Sequence, residues 1–193
     1  MLSYGRALAP SNTYVQKATV TKEDGGIKLG QIEEVEFTTP GGETLSASIC
    51  LNGLNINTAA GSAPSIDASG ESVEDKAEAK CAFPVPAFTL PKQHHAFVLW
   101  DAFTLTGAGC CLKTANYSLG CGVSKAEKDG ICLTHDVTEG RIDCSIEVLQ
   151  TGPAEPVLAP GDGWIVTSQP TQSNPDADYP TWSATLTMYL SKE

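Results

Sequence analysis

The tightest constraint on this chain is a two-residue period through Arg141–Leu149. Ile142, Cys144, Ile146 and Val148 fall on one parity, and Arg141, Asp143, Ser145 and Glu147 on the other. Successive side chains of a strand point to opposite faces, so the pattern suits a strand with one buried and one wet face. It does not suit a helix, whose apolar residues recur every three or four positions. Trp182, Ala184, Leu186, Met188 and Leu190 repeat the pattern, as do Leu45, Ala47, Ile49 and Leu51 set against Thr44, Ser46, Ser48 and Cys50.

Turn chemistry punctuates these runs. Glu23-Asp24-Gly25-Gly26, Pro40-Gly41-Gly42, Asp129-Gly130 and Thr138-Glu139-Gly140 all supply residues that tolerate positive φ. Ile27, Leu29, Val35 and Phe37 share a parity, while Ile32 is out of phase beside Gly30, which predicts a bulge there. Residues 14–21, 27–37 and 45–51 therefore read as an antiparallel meander. Pro84, Pro86 and Pro91 keep 81–91 extended but bar it from a central strand position. Ala96–Thr106 is the most apolar stretch and reads as a strand buried on both faces, ended by Gly107 and Gly109. Beyond Leu149 come a Pro/Gly loop over 151–163, a short strand over 164–168, a polar loop over 169–180 and the closing strand, which is expected to be paired because a free terminal strand would fray.

Residues 53–80 are rich in Ala, Ser, Gly, Asn and Asp and poor in large apolar side chains. They read as one long polar loop or arm, either mobile or ordered against a neighbouring subunit, since long loops are usually functional or disordered. Ser72-Val73-Glu74-Asp75 resembles a helix start that Ala77–Lys80 could extend. The expected fold is mainly β: a single domain over 1–193, an antiparallel sandwich or barrel of roughly eight or nine strands, with at most one or two short helices.

Charge narrows the functional classes. Twelve Lys and Arg stand against 23 Asp and Glu, a net charge of −11, with basic residues scattered singly. Tight nucleic-acid binding draws on clustered Lys and Arg, so it is not expected. No uninterrupted apolar run of about 20 residues is present to span a membrane. Ser3, Gly5, Arg6, Ser11 and Asn12 interrupt any signal-peptide core near the start, so synthesis in the cytoplasm without secretion is expected.

Seven cysteines, Cys50, Cys81, Cys110, Cys111, Cys121, Cys132 and Cys144, are a high count for a cytoplasmic chain and odd in number, so they cannot all pair within the chain. No Cys-x₂₋₄-Cys pair of the structural zinc type is present. From Cys111 onward the gaps are nine, ten and eleven residues, as if each strand carried one cysteine. Cys132 and His135 form the one local pair with ligand-like spacing and are the weak metal candidates. Small buried thiols kept reduced, and disulfides, are the other readings.

Other chemistries find little purchase. Gly120-Cys-Gly-Val-Ser124 is no nucleophile elbow, and His94, His95 and His135 have no evident Ser or Cys partner beyond Cys121 or Cys132. The carboxylates Glu33, Glu34 and Glu36, then Glu71, Glu74 and Asp75, then Asp176 and Asp178 read as a solvated acidic surface or, less simply, as paired acids of a glycosidase. Asn174-Pro-Asp-Ala-Asp178 is a faint calcium-loop echo, and no phosphate loop is present. No catalytic residues, and no cofactor, are expected.

Three functional readings follow: a non-enzymatic structural protein that assembles with copies of itself, a β-sandwich ligand- or carbohydrate-binding module, and a hydrolase with a dispersed site. The Met start, the meander around Ile27–Phe37 and the closing Trp182-Ser-Ala-Thr-Leu-Thr-Met-Tyr-Leu190 strand resemble tailed-bacteriophage virion proteins, such as tail-tube and other tail or head–tail components. The resemblance implies a homo-oligomeric virion protein whose partners are its own copies, in rings or stacks, and neighbouring virion proteins. It also implies an acidic conduit along which DNA would slide without sticking.

Overall fold

The structure is a computed structural model. It describes residues 2–4, 7–8, 14–15, 18–20, 27–38, 44–73, 82–90, 94–129, 131–175 and 177–192. Among them every regular element is a strand: β1 (Leu2–Tyr4), β2 (Ala7–Leu8), β3 (Tyr14–Val15), β4 (Ala18–Val20), β5 (Lys28–Leu29), β6 (Ile32–Thr38), β7 (Thr44–Ala59), β8 (Ser65–Val73), β9 (Phe83–Pro84), β10 (Phe103–Thr106), β11 (Cys110–Lys128), β12 (Ile131–Gln150), β13 (Val157–Pro160), β14 (Ile165–Gln172) and β15 (Thr181–Tyr189). The fold is mainly β and overwhelmingly antiparallel, as expected.

Nine strands form one sheet in the order β14-β15-β12-β11-β7-β8-β1-β4, with β6 on β7 beside that path. The order is an open path, so the barrel alternative falls away. The pairs β2–β3, β5–β9 and β10–β13 form three small sheets. One core lies between the inner face of the large sheet and a second layer. The sheet contributes Leu54, Ile56, Ala115, Tyr117, Leu119, Ile142, Cys144, Ile146 and Leu186, and the second layer Leu29, Phe83, Val85, Leu99, Ala102 and Phe103. Each fully buried Leu, Ile or Phe side chain contributes about 1.5–3 kcal/mol by leaving water.

The alternations read from the sequence hold where they were clearest. Ile142, Cys144, Ile146 and Val148 are all buried, and the closing strand β15 is paired on both sides, with β12 and β14. The bulge expected near Gly30 is present: Gly30 has φ 86°, its N–H donates to Leu51 O, and Leu51 N–H donates to Gln31 O. Two residues thus oppose one, the glycine-led bulge geometry.

Several expectations need correction. Residues 53–80 are not one long loop. Gly53–Ala59 completes β7, and Ser65–Val73 forms β8 beside it. β8 lacked an apolar signal because its inward positions are Ile66, Ala68 and Gly70, and the Ile49 side chain occupies the space that a Cβ at Gly70 would need. The helix start at Ser72 is also absent, since Ser72 and Val73 close β8; residues 74–81 lie outside the described residues. The meander is half right: β6 pairs β7, but β4 pairs β1 instead of the strand that follows it.

Ala96–Thr106 is not a strand buried on both faces. Only Phe103–Thr106 is a strand, at the edge of the small β10–β13 sheet. Trp100 and Asp101 both take left-handed backbone angles, φ 53° and 45°, and turn the chain so that Leu99, Ala102 and Phe103 enter the core. Thr138-Glu139-Gly140 is a bulge inside one continuous strand and not a turn: Gly120 opposes Arg141 while Gly122 opposes Thr138, with Glu139 at φ 55°. Turn and bulge draw on the same positive-φ chemistry, so the sequence alone did not separate them. The 151–163 and 169–180 loops are shorter than expected, because β13 lies inside the first and β14 runs on to Gln172.

A matching bulge shapes β7. Leu51 opposes Gly70 and Gly53 opposes Ser69, leaving Asn52 extra. The parity that shares a face with Gly70 and Ala68 accordingly moves from Ile49 and Leu51 to Leu54, Ile56 and Thr58, while Ser48 and Cys50 are buried on the other face. Without that insertion a continuous strand would turn its second half's apolar residues to solvent.

Candidate functional surface

The large sheet presents an outer face made of short polar side chains in register. One row runs Thr185, Ser145, Asn116, Asn57, Ser65 across five strands, and the next runs Thr187, Asp143, Ser118, Asn55, Asp67. This follows directly from the alternation, since each residue is the opposite-parity neighbour of a core residue on its strand. The side chains bond one another across strands. Thr187 Oγ1–H donates to Asp143 Oδ1 at 2.6 Å, Asn57 Nδ2–H donates to Ser65 Oγ at 3.4 Å, and Asn116 Oδ1 accepts the Thr58 N–H at 3.3 Å. Such cross-strand pairs each add a few tenths of a kcal/mol, up to about 1.

Two ion pairs lie on this face. Arg141 Nε lies 3.1 Å from Asp143 Oδ2, and Lys113 Nζ lies 3.1 Å from Glu147 Oε2. Beside the paired bulges a shallow pocket of about 270 Å³ is lined by Gly120, Cys121, Gly122, Glu139 and Arg141.

Past Gly120 the β11–β12 hairpin leaves β7, whose edge β6 then takes over. Lys125 Nζ lies 3.0 Å from Glu71 Oε2, tying the departing hairpin to β8. Cys121 Sγ–H points to Leu51 O at 3.9 Å, and Cys50 Sγ–H donates to Gly30 O at 3.6 Å. Desolvation pushes these thiols up, Cys50 to about 11 and Cys121 to about 12, with Glu71 adding to both and Cys50 to Cys121. Cys144 is likewise pushed up to about 12 by burial. A protonated buried thiol is neither a nucleophile nor a ready metal ligand.

The cysteine spacing has a different origin from the one expected. Cys111 and Cys121 share β11, and Cys132 and Cys144 share β12. The strands are about 65 Å long at ~3.3 Å per residue, so with Cys110 at its start β11 holds three cysteines and β12 holds two. Cys50, Cys110, Cys111, Cys121 and Cys144 are all free thiols.

The metal candidates Cys132 and His135 both lie on β12 near its hairpin turn, Cys132 opposite Glu127 and His135 opposite Lys125, with a register shift between them. Among the described residues no group of three or more His, Cys, Asp or Glu converges as metal ligands. His94 and His95 are exposed in an irregular segment. Glu33, Glu34 and Glu36 follow one another on β6, and Asp178 is exposed. Glu74, Asp75 and Asp176 lie outside the described residues. Asn174 of the calcium-loop echo instead donates from Nδ2 to Thr181 Oγ1 at 3.5 Å.

The tryptophans offer no exposed binding platform. Trp164 is buried, and Trp100 and Trp182 pack half-buried against the core. Trp100 Nε1–H donates to Pro86 O at 3.0 Å and Trp182 Nε1–H to Gln150 Oε1 at 2.8 Å. Among the residues whose side chains are described, the exposed large apolar ones are Val98, Val157, Ile165, Tyr179 and Tyr189. Sequence reasoning placed Tyr189 on a strand without singling it out and gave Ile165 no role. The signal that could have found them is the absence of charge from 163 to 175 and from 179 to 191. No helix among the described residues is long and apolar enough to cross a membrane.

Comparison with protein families, with curated proteins and with solved structures gives no match.

Proposed function

We propose that the chain is a non-enzymatic structural subunit that assembles with copies of itself, in the manner of a tailed-phage virion component such as a tail-tube-like subunit. The observation that carries this reading is the open sheet. Nine strands lie on one path whose end strands, β14 and β4, each have a single partner among the described residues. An open end presents unpaired N–H and C=O groups, which are a template for joining another chain. The residues themselves point away from chemistry: the buried thiols are held protonated, and the outer-face polar groups bond one another. In an assembled state the net charge of −11 would line exposed surfaces and repel nucleic-acid phosphate.

Size-exclusion chromatography with light scattering, followed by negative-stain microscopy, tests the reading. A regular homo-oligomer is expected. A protein that stays monomeric at every concentration tried contradicts it.

A further inference from the structure

Copies carrying a net charge of −11 repel one another, so they can meet only where charge is absent or matched. The structure has such a place. Strands β14 and β15, at one end of the large sheet, contain no charged residue; the uncharged stretches run over 163–175 and 179–191. The next charges inward on the outer face, Arg141 and Asp143, are paired with each other. At the opposite end β4 is only three residues long and follows directly on Lys17, while its near neighbour β8 carries Asp67 and Glu71.

The same end exposes apolar surface. Ile165, at the start of the edge strand, is 55% exposed, and Tyr189 is 66% exposed. Ile165 pairs with Thr187, so Tyr189 sits two residues along on the same face, within diagonal reach. Val157 on β13, which runs beside β14, is also exposed. Edge strands are ordinarily blunted by charge, Lys above all, and this one has none. Pro170 has no N–H to offer a partner, so the free edge available for pairing ends at Gln169, and the register shifts after Val166 and Ser168 bend it.

Resting on the assembly reading above, we infer that the β14 edge is the contact with a second copy of this chain. Ile165–Gln169 lies antiparallel to the same segment of the partner, and Ile165 and Tyr189 are covered. Antiparallel pairing of a strand with its own copy is isologous and closes at two. The dimer is then the unit from which any larger assembly grows through other contacts.

Sedimentation velocity on the full chain tests this, with Ile165→Lys and Gln169→Lys as edge variants and Asp67→Lys as a charge change on β8. Two edge variants are used so that a fold defect in one leaves the other informative, and circular dichroism checks each. The expected result is a wild-type dimer, retained in Asp67→Lys, with the dissociation constant raised at least about tenfold in both folded edge variants, since each places a charged Lys from both copies in a contact that is otherwise free of charge. Edge variants that associate as tightly as wild type overturn the β14 contact while leaving assembly standing. A wild type that is monomeric on the order of 100 µM removes assembly itself, and the contact with it.

Discussion

The ring of Phe83 lies on the bare backbone of Gly140. A Cβ at residue 140 would fall inside that ring, so the second layer can reach the sheet here only because the position has no side chain. Phe83 is buried, and Lys192 Nζ sits over its ring, 5.8 Å from the centroid. Gly140→Ala is therefore expected to destabilise the protein by about 1–3 kcal/mol through overpacking. In a double-mutant cycle with Phe83→Ala the two losses should be clearly less than additive. Urea unfolding measures this; fully additive losses would mean that the ring does not rest on Gly140.

Tyr117 holds the irregular apolar segment in place. Its hydroxyl accepts the Leu99 N–H at 2.8 Å, and its ring packs edge-on against Trp100 at 5.3 Å and Trp164 at 6.5 Å between centroids. Tyr117→Phe keeps the rings but leaves a buried N–H unpaired, at an expected cost of about 1–3 kcal/mol. Ser118→Ala, one residue along on the wet face, should change stability by less than about 0.5 kcal/mol. Equal effects from the two would contradict the assigned role.

Stability should fall in alkali for a stated reason. Burial raises the Cys50 thiol from 9.0 to about 11 and the Cys144 thiol from 9.0 to about 12. The unfolded chain thus releases these protons first, and between pH 9 and about 11–12 it binds fewer protons than the native state. The thiols' contribution is whole below pH 9 and is lost as pH rises through that window, at up to about 1.4 kcal/mol per thiol per pH unit. Denaturant titrations from pH 8 upward should show a shallower decline in Cys144→Ala than in the parent protein. An unchanged slope would show that the thiol is not the titrating group. In the native protein at pH 8, mass-mapped thiol labelling should find Cys111, which is exposed, well ahead of Cys50 and Cys144.

The ion pair between Lys125 and Glu71 spans the place where the β11–β12 hairpin leaves the sheet. The Lys125 side chain is 20% exposed and that of Glu71 is 44% exposed. Glu71→Gln should cost only about 1 kcal/mol or less of global stability, given that exposure. Its expected signature is local: faster amide exchange over 121–129 and 131–138, with residues 141–149 unchanged. Uniform acceleration across both regions would contradict the local role.

What the sequence disclosed tracks how one-sided each strand's burial is. Ile142 to Val148 and Trp182 to Leu190 face a core on one side and water on the other, so their period is visible. β8 was invisible because its inward side chains are small, and β7 supplies the bulk through Ile49. Ala96–Phe103 misled in the opposite direction: its apolar residues serve a turning segment that plugs the core, with a tyrosine hydroxyl standing in for a strand partner. The bulge at Asn52 shifts which parity shares a face with Gly70 and Ala68 within one strand, and no local rule marks it. The charge-free end of the sheet was present in the composition all along, but it became a surface only once β14 was seen to be an edge.

The most direct test of the assembly account is sedimentation equilibrium of the full chain at low and high salt. Screening weakens repulsion between copies with a net charge of −11 and leaves an uncharged contact intact, so the account predicts an average mass above that of the monomer that rises with salt. A monomer mass at every concentration and salt would contradict it.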